Sequence, residues 1–139
     1  MIRLLLIGFA VISINVFFQA VTSIYVSEKI ISILNDSKKM LSNGKMLMIL
    51  ILSFFTFTIL HVVHSLIWAV AFYMIPAIQG DFTNFAETLY FSIVTFTSLG
   101  YGDITLSNWR LLSGFEAING IMLIGWTTAI MFTILQNLF

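Results

Sequence analysis

The sequence has no cysteine and very little charge: 9% of its 139 residues are Asp, Glu, Lys or Arg. Without cysteine there is no disulfide framework and no thiolate metal site, and nothing marks a redox compartment. Six basic and six acidic residues balance to a formal net charge of zero, so nothing points to nucleic acid as a partner. A glycine-rich phosphate loop is missing, as is any nucleophile paired with His61 or His64, so no enzymatic constellation can be drawn. Regularly spaced arginines are missing too, which excludes a voltage-sensing helix. What fills the chain is apolar: 60% of residues are hydrophobic, against roughly 45–50% in an ordinary soluble domain. That composition belongs in a lipid bilayer.

Three runs are long enough to span it. Leu4 to Val26 and Met46 to Met74 carry no Asp, Glu, Lys or Arg, and Trp109 to Phe139 is interrupted only by Arg110 and Glu116. At ~1.5 Å per residue each exceeds the ~30 Å hydrocarbon core, so all three are expected as transmembrane helices. The first run is too apolar for too long, with too poor a cleavage site at Val21-Thr22-Ser23, to read as a signal peptide. Between the first two runs, residues 27–45 hold Lys29, Lys38, Lys39 and Lys45 against Glu28 and Asp36, which predicts a cytoplasmic linker. Asp81, Glu87 and Asp103 then face outside; Arg3 and Arg110 oppose this orientation but are outnumbered. The expected location is the plasma membrane, in a multi-pass arrangement with lipid as the surrounding partner.

The stretch from Pro76 to Asn108 is more than a loop. Asn84-Phe85-Ala86-Glu87 reads as a capping box, with Asn84 as N-cap and Glu87 reaching back, ahead of an apolar helix over 85–97. Such a helix is only ~20 Å long and cannot cross. A chain that enters the membrane as a short helix must return as non-helical backbone, which is tolerated only inside protein or beside a water-filled cavity.

The residues that follow, Thr95-Phe96-Thr97-Ser98-Leu99-Gly100-Tyr101-Gly102-Asp103, resemble the pore signature of tetrameric potassium channels, and the resemblance covers about residues 46–139. It implies an all-α membrane fold: an N-terminal transmembrane helix and basic linker (1–45), then a pore domain (46–139). That domain would comprise an outer helix 46–74, a pore helix 85–97, a selectivity filter 97–103 and an inner helix 109–139, repeated about a fourfold axis as a homotetramer. It implies K+ as the permeant ion, with no organic cofactor. The ion would be held in the filter Thr97, Ser98, Leu99, Gly100, Tyr101 and Gly102 by the carbonyls of Ser98, Leu99, Gly100 and Tyr101, with the Ser98 hydroxyl completing the innermost site. Glycines 100 and 102 suit such a strand because they tolerate positive φ. Ser98 and Leu99 depart from the threonine and valine or isoleucine usual in the family, so a looser inner site is expected.

The same resemblance assigns supports. Asp103 is expected to hydrogen-bond to an aromatic on the pore helix, here Tyr90, with Thr95 and Val94 behind the filter; Val94 stands where some relatives have glutamate. Gly120 aligns with the glycine at which inner helices bend, with close packing against the pore helix as the alternative. Gly125 and Thr128 are expected to line the cavity, and Phe132 to lie where the four helices cross.

Other polar residues are read from position alone. Glu116 lies within the last helix, where a charge is expensive; the favoured reading is that it accepts hydrogen bonds from the pore-helix region. His61 and His64 share a helix face, but no cysteine or nearby carboxylate completes a metal site with them. Asn15, Gln19 and Ser23 form a stripe at helical spacing, with Asn15 at the depth of His61, which predicts interhelical hydrogen bonds and a bracing role for the first helix. The rival functions are a non-selective cation channel on the same scaffold and an accessory subunit of a pore or transporter. The sequence names no gating stimulus or regulatory partner.

Overall fold

A computed structural model describes residues 2–36 and 42–138, apart from the side chains of 34–36. Helix α1 runs Ile2–Asp36, α2 Asn43–Tyr73, α3 Phe85–Phe96 and α4 Arg110–Leu138, with a 3-10 turn at Pro76–Asp81 between α2 and α3. Three of them, α1, α2 and α4, are long and apolar enough to cross a membrane, and α3 is a shorter apolar helix.

The apolar boundaries expected at Val26 and Met46 are not helix boundaries. Nothing between Val26 and Asp36 breaks a helix, so α1 continues through Ser27, Glu28 and Lys29, and α2 starts before Lys45, at Asn43. The expected linker is therefore largely helical, and Lys38 and Lys39 lie outside the described residues.

Burial follows one stripe per helix. On α1 the buried residues are Leu4, Gly8, Val11, Asn15, Gln19, Ser23, Val26 and Ile30, every third or fourth position, while Phe9, Phe17 and Tyr25 are exposed. This is the spacing of a single helical face. The helix is seated on α4 and α2 at once, through Leu4 and Val11 in the cluster with Trp68 and Leu112 and through Val26 and Ile30 in the one with Phe57 and Ile134. Gly8 permits the approach: a Cβ there would stand 2.9 Å from the Phe115 ring. Polar residues share the interior: Asn15, Gln19, His64, Ser92 and Glu116 are buried beside Phe72, Phe96 and Leu112, while Phe9, Phe54, Ile59 and Met122 face out.

Helix α3 lies against both α2 and α4. Phe91 packs edge-on against Phe72 of α2, and Phe96 sits between the rings of His61 and His64 and the backbone of α4. Its start is fixed by Asn84, whose Oδ1 accepts from Glu87 N at 2.9 Å. Glu87 reaches back one residue further than a standard capping box, to Thr83 N and Thr83 Oγ1, both at 2.6 Å.

Candidate functional site

Helix α3 ends where the chain reverses. Thr97 N donates to the Ile93 carbonyl (3.1 Å), Ser98 N to Thr95 (2.9 Å), and Leu99 N and Gly100 N both to Val94 (2.9 and 3.2 Å). The Ser98-to-Thr95 and Leu99-to-Val94 pair is a Schellman motif, which requires a left-handed residue at Ser98. Ser98 has φ +57°. Glycine usually fills that position, so a serine there holds local strain.

The left-handed conformation then recurs at every second residue: Gly100 at φ +56° and Gly102 at φ +77°, with Leu99 and Tyr101 outside that region. The two glycines meet the requirement read from the sequence; Ser98 is a third such residue, which serine's type did not announce. The amides of residues 98 to 100 point back to the end of α3, and no hydrogen bond among the described residues ends on the carbonyls of Ser98, Leu99, Gly100 or Tyr101. These oxygens are free acceptors on an exposed strand, where Leu99 is 58% and Tyr101 67% accessible.

The far end is tied down by Tyr90, whose hydroxyl donates to Asp103 Oδ2 at 2.8 Å. Behind the strand lies a cleft of about 300 Å³ bordered by Tyr90, Val94, Gly102, Arg110 and Ser113. Asp81 Oδ2 accepts from Ser107 N (2.9 Å) and Ser107 Oγ (3.0 Å), joining the 3-10 turn to the approach to α4, so it is a structural tie as well as an acidic group. Glu87 is close enough to Asp103 to feel its charge, yet the two Thr83 hydrogen bonds hold the Glu87 carboxyl below the ordinary carboxylate value.

Farther along α4, Gly120 is not open. A Cβ on it would lie 1.8 Å from the Phe96 carbonyl oxygen, so close packing against α3 is the role the structure gives it. Gly125 has nothing within 4 Å, and Thr128 and Phe132 are exposed on α4, away from the 97–103 strand.

The polar stripe of α1 does not pair with His61. Asn15 Nδ2 donates to Asn119 Oδ1 (3.0 Å) and Gln19 Nε2 to Thr127 Oγ1 (2.9 Å), both on α4, and Trp68 Nε1 shares the Asn119 oxygen (3.1 Å). Among the described residues the ring nitrogens of His61 and His64 have no partner within hydrogen-bond geometry. Glu116 is fully buried and bonded to Ser92 of α3, whose hydroxyl also lies 2.6 Å from the Ser65 carbonyl of α2. The sequence offered Glu116 without its partner Ser92, and Asn15 without its partner Asn119, since neither Ser92 nor Asn119 carries a local signal.

A family model described as "Ion channel" matches residues 46–137, which include α3, the 97–103 strand and most of α2 and α4. No curated protein and no solved structure gives a match.

Proposed function

Since the chain belongs to this ion-channel family, and is on that ground a multi-pass membrane protein and no enzyme, we propose that it is one subunit of a homotetrameric potassium channel. In this reading α2 is the outer helix, α3 the pore helix, α4 the inner helix, and residues 97–102 one wall of the selectivity filter. The observation that carries it is the alternation of positive φ at Ser98, Gly100 and Gly102, with the amides of residues 98 to 100 turned to α3 and four successive carbonyls left free among the described residues. A dehydrated K+ is stabilised by replacing its water with carbonyl oxygens, and rings of such carbonyls are the general device of potassium filters. One chain supplies one side of each ring, so four copies about an axis complete it.

The remaining parts act on the same ion. The C-terminal end of α3 directs its partial negative charge, about half an elementary unit, towards the cavity below the filter, although its Ile93, Val94 and Thr95 carbonyls already accept protein hydrogen bonds. Gly125 and Thr128 line that cavity and Phe132 lies at its narrow end. Asp81, Glu87 and Asp103 give the outer mouth a net acidic field that concentrates cations. The mouth faces outside the plasma membrane, with the lysine-bearing connection between α1 and α2 in the cytoplasm.

Ser98 and Leu99 favour a second reading, a non-selective cation pore on the same scaffold, and one measurement separates the two. Purified protein in planar bilayers, with K+ on one side and Na+ on the other, is expected to reverse close to the K+ equilibrium potential. Robust current that reverses near zero establishes the non-selective pore instead.

A further inference from the structure

Two successive turns of α4 meet two successive turns of α3. Glu116 touches Ser92, and four residues on in both helices the Cα of Gly120 lies under the Phe96 carbonyl. From the other side α2 meets the same two levels, with the Ser65 carbonyl at Ser92 and the rings of His61 and His64 at Phe96, 6.0 and 5.9 Å between centroids. Ser92 is thus the polar pin of α3, held from α2 and α4 together.

The proton count at this pin is decisive. Ser92 Oγ carries one hydrogen and has two close partners, the Ser65 carbonyl and Glu116 Oε1. The carbonyl can only accept. When the hydrogen goes to it, the bond to Glu116 is completed only by a hydrogen on the carboxyl. An ionised Glu116 would take the hydrogen for itself, leaving two oxygens 2.6 Å apart at Ser65 with none between them. Glu116 Oε2 is buried and has no partner, so a carboxylate here would hold its charge on a single hydrogen bond. Among the described residues no basic side chain bonds Glu116: the neighbouring polar group on α4 is Asn119, held by Asn15 of α1 and Trp68 of α2, and the titratable rings of His61 and His64 face Phe96, one turn beyond Ser92.

We propose that Glu116, as an uncharged carboxylic acid, is a positioning residue for ion selection. It donates to Ser92, Ser92 donates to Ser65, and this directed chain sets the height and rotation of α3. Val94 and Thr95, two and three residues beyond Ser92, are the carbonyls that orient the amides of Ser98, Leu99 and Gly100. A displaced pin therefore moves the ion-binding carbonyls although Glu116 touches no ion. The inference rests on the potassium-channel reading.

The test compares wild type with E116Q, E116A and S92A in bilayers, under the same K+/Na+ conditions, with the oligomer checked by size exclusion. A glutamine amide donates as the acid does, so E116Q is expected to keep the wild-type reversal potential. In E116A and S92A the K+/Na+ permeability ratio is expected to fall by about tenfold or more in an assembled oligomer. Infrared difference spectra of wild type against E116Q at neutral pH are expected to show the stretching band of a protonated carboxylic acid. Unaltered selectivity in both alanine variants, a loss in E116Q equal to that in E116A, or absence of the band each overturns the proposal. A wild-type channel that does not select K+ defeats the parent reading alone; the band, and the thermal stability of E116Q against E116A, still judge the pin. The band likewise decides if the alanine variants fail to assemble.

Discussion

Tyr90 and Asp103 are 13 residues apart in sequence, and the 2.8 Å bond between them closes the loop containing the free carbonyls. The pair is exposed in one protomer, so water competes for it and its contribution is small. That is enough to bias a marginal strand without being needed for folding. Tyr90→Phe removes the hydroxyl and keeps the ring. Expected is a protein that assembles but whose current decays faster during sustained conduction, read as the decay time in bilayers; an unchanged decay removes the link from gating. Glu87 makes a pH prediction at the same scale. Its folded-state carboxyl lies below the ordinary 4.5, so its contribution is present above that value and is lost as pH falls through the depressed one. Thr83→Ala removes the hydroxyl that contributes most to the shift. This variant is expected to melt below wild type at neutral pH, with the gap closing as pH falls through the acidic range; a gap that stays constant would show that the cap does not titrate in this way. The Tyr90–Asp103 pair was legible through the resemblance to the pore signature, and the cap at Asn84 through its local motif, which put Glu87 at the helix start without naming Thr83 as its partner. Ser98 was not, since serine carries no preference for positive φ; the turn that ends α3 imposes it.

Among the helices, the apolar runs located α2, α3 and α4 to within a few residues but ended α1 too early. Hydropathy marks where a helix leaves lipid, whereas helix ends are marked by caps and breakers, and Ser27-Glu28-Lys29 contains neither. The direction in which a buried polar residue turns was not legible. Asn15 and His61 were placed at one height, yet Asn15 turns to Asn119, because the burial stripe of α1 faces α4 as well as α2 and spacing alone does not say which neighbour lies there. Gly120 and Gly125 show what the distinction means for function. Bending at Gly120 would have to displace the Phe96 carbonyl, whereas Gly125 is open in the protomer. In Gly120→Ala the new Cβ meets backbone, which cannot rotate away. The melting temperature in detergent is expected to fall, with a loss of about 1–3 kcal/mol or more. Gly125→Ala gains helix propensity of up to about 1 kcal/mol, and is expected to leave melting unchanged or raised while altering open probability. Equal melting of the two variants would mean that α3 and α4 are not pressed together at Gly120.

For the whole molecule, the charge asymmetry and the exposed strand belong to one argument. A single protomer leaves Leu99, Tyr101 and Phe132 uncovered and its row of carbonyls without hydrogen-bond donors among the described residues, an arrangement that fits assembly with further copies in a family whose members are typically oligomeric. If those copies form a pore, its acidic mouth and its lysine-bearing end must lie on opposite sides of the membrane. Lys29 is near the end of α1 and Lys45 near the start of α2, while Asp81 and Asp103 lie in the two stretches flanking α3, at the other end of α2. The positive-inside rule places the lysines in the cytoplasm, although Arg3 and Arg110 weigh against it. Because the native chain has no cysteine, one introduced thiol reports on one position. Thr105→Cys, exposed beyond the strand, is expected to react with a membrane-impermeant maleimide on intact cells, and Lys45→Cys only after permeabilisation. The reverse pattern would turn the mouth to the cytoplasm and set the two arginines above the lysines as the orienting charges. Labelling of both positions on intact cells would break the three-span topology, since the part of α2 beyond Lys45, residues 46–73, is about 42 Å long at 1.5 Å per residue, more than the ~30 Å core it must cross.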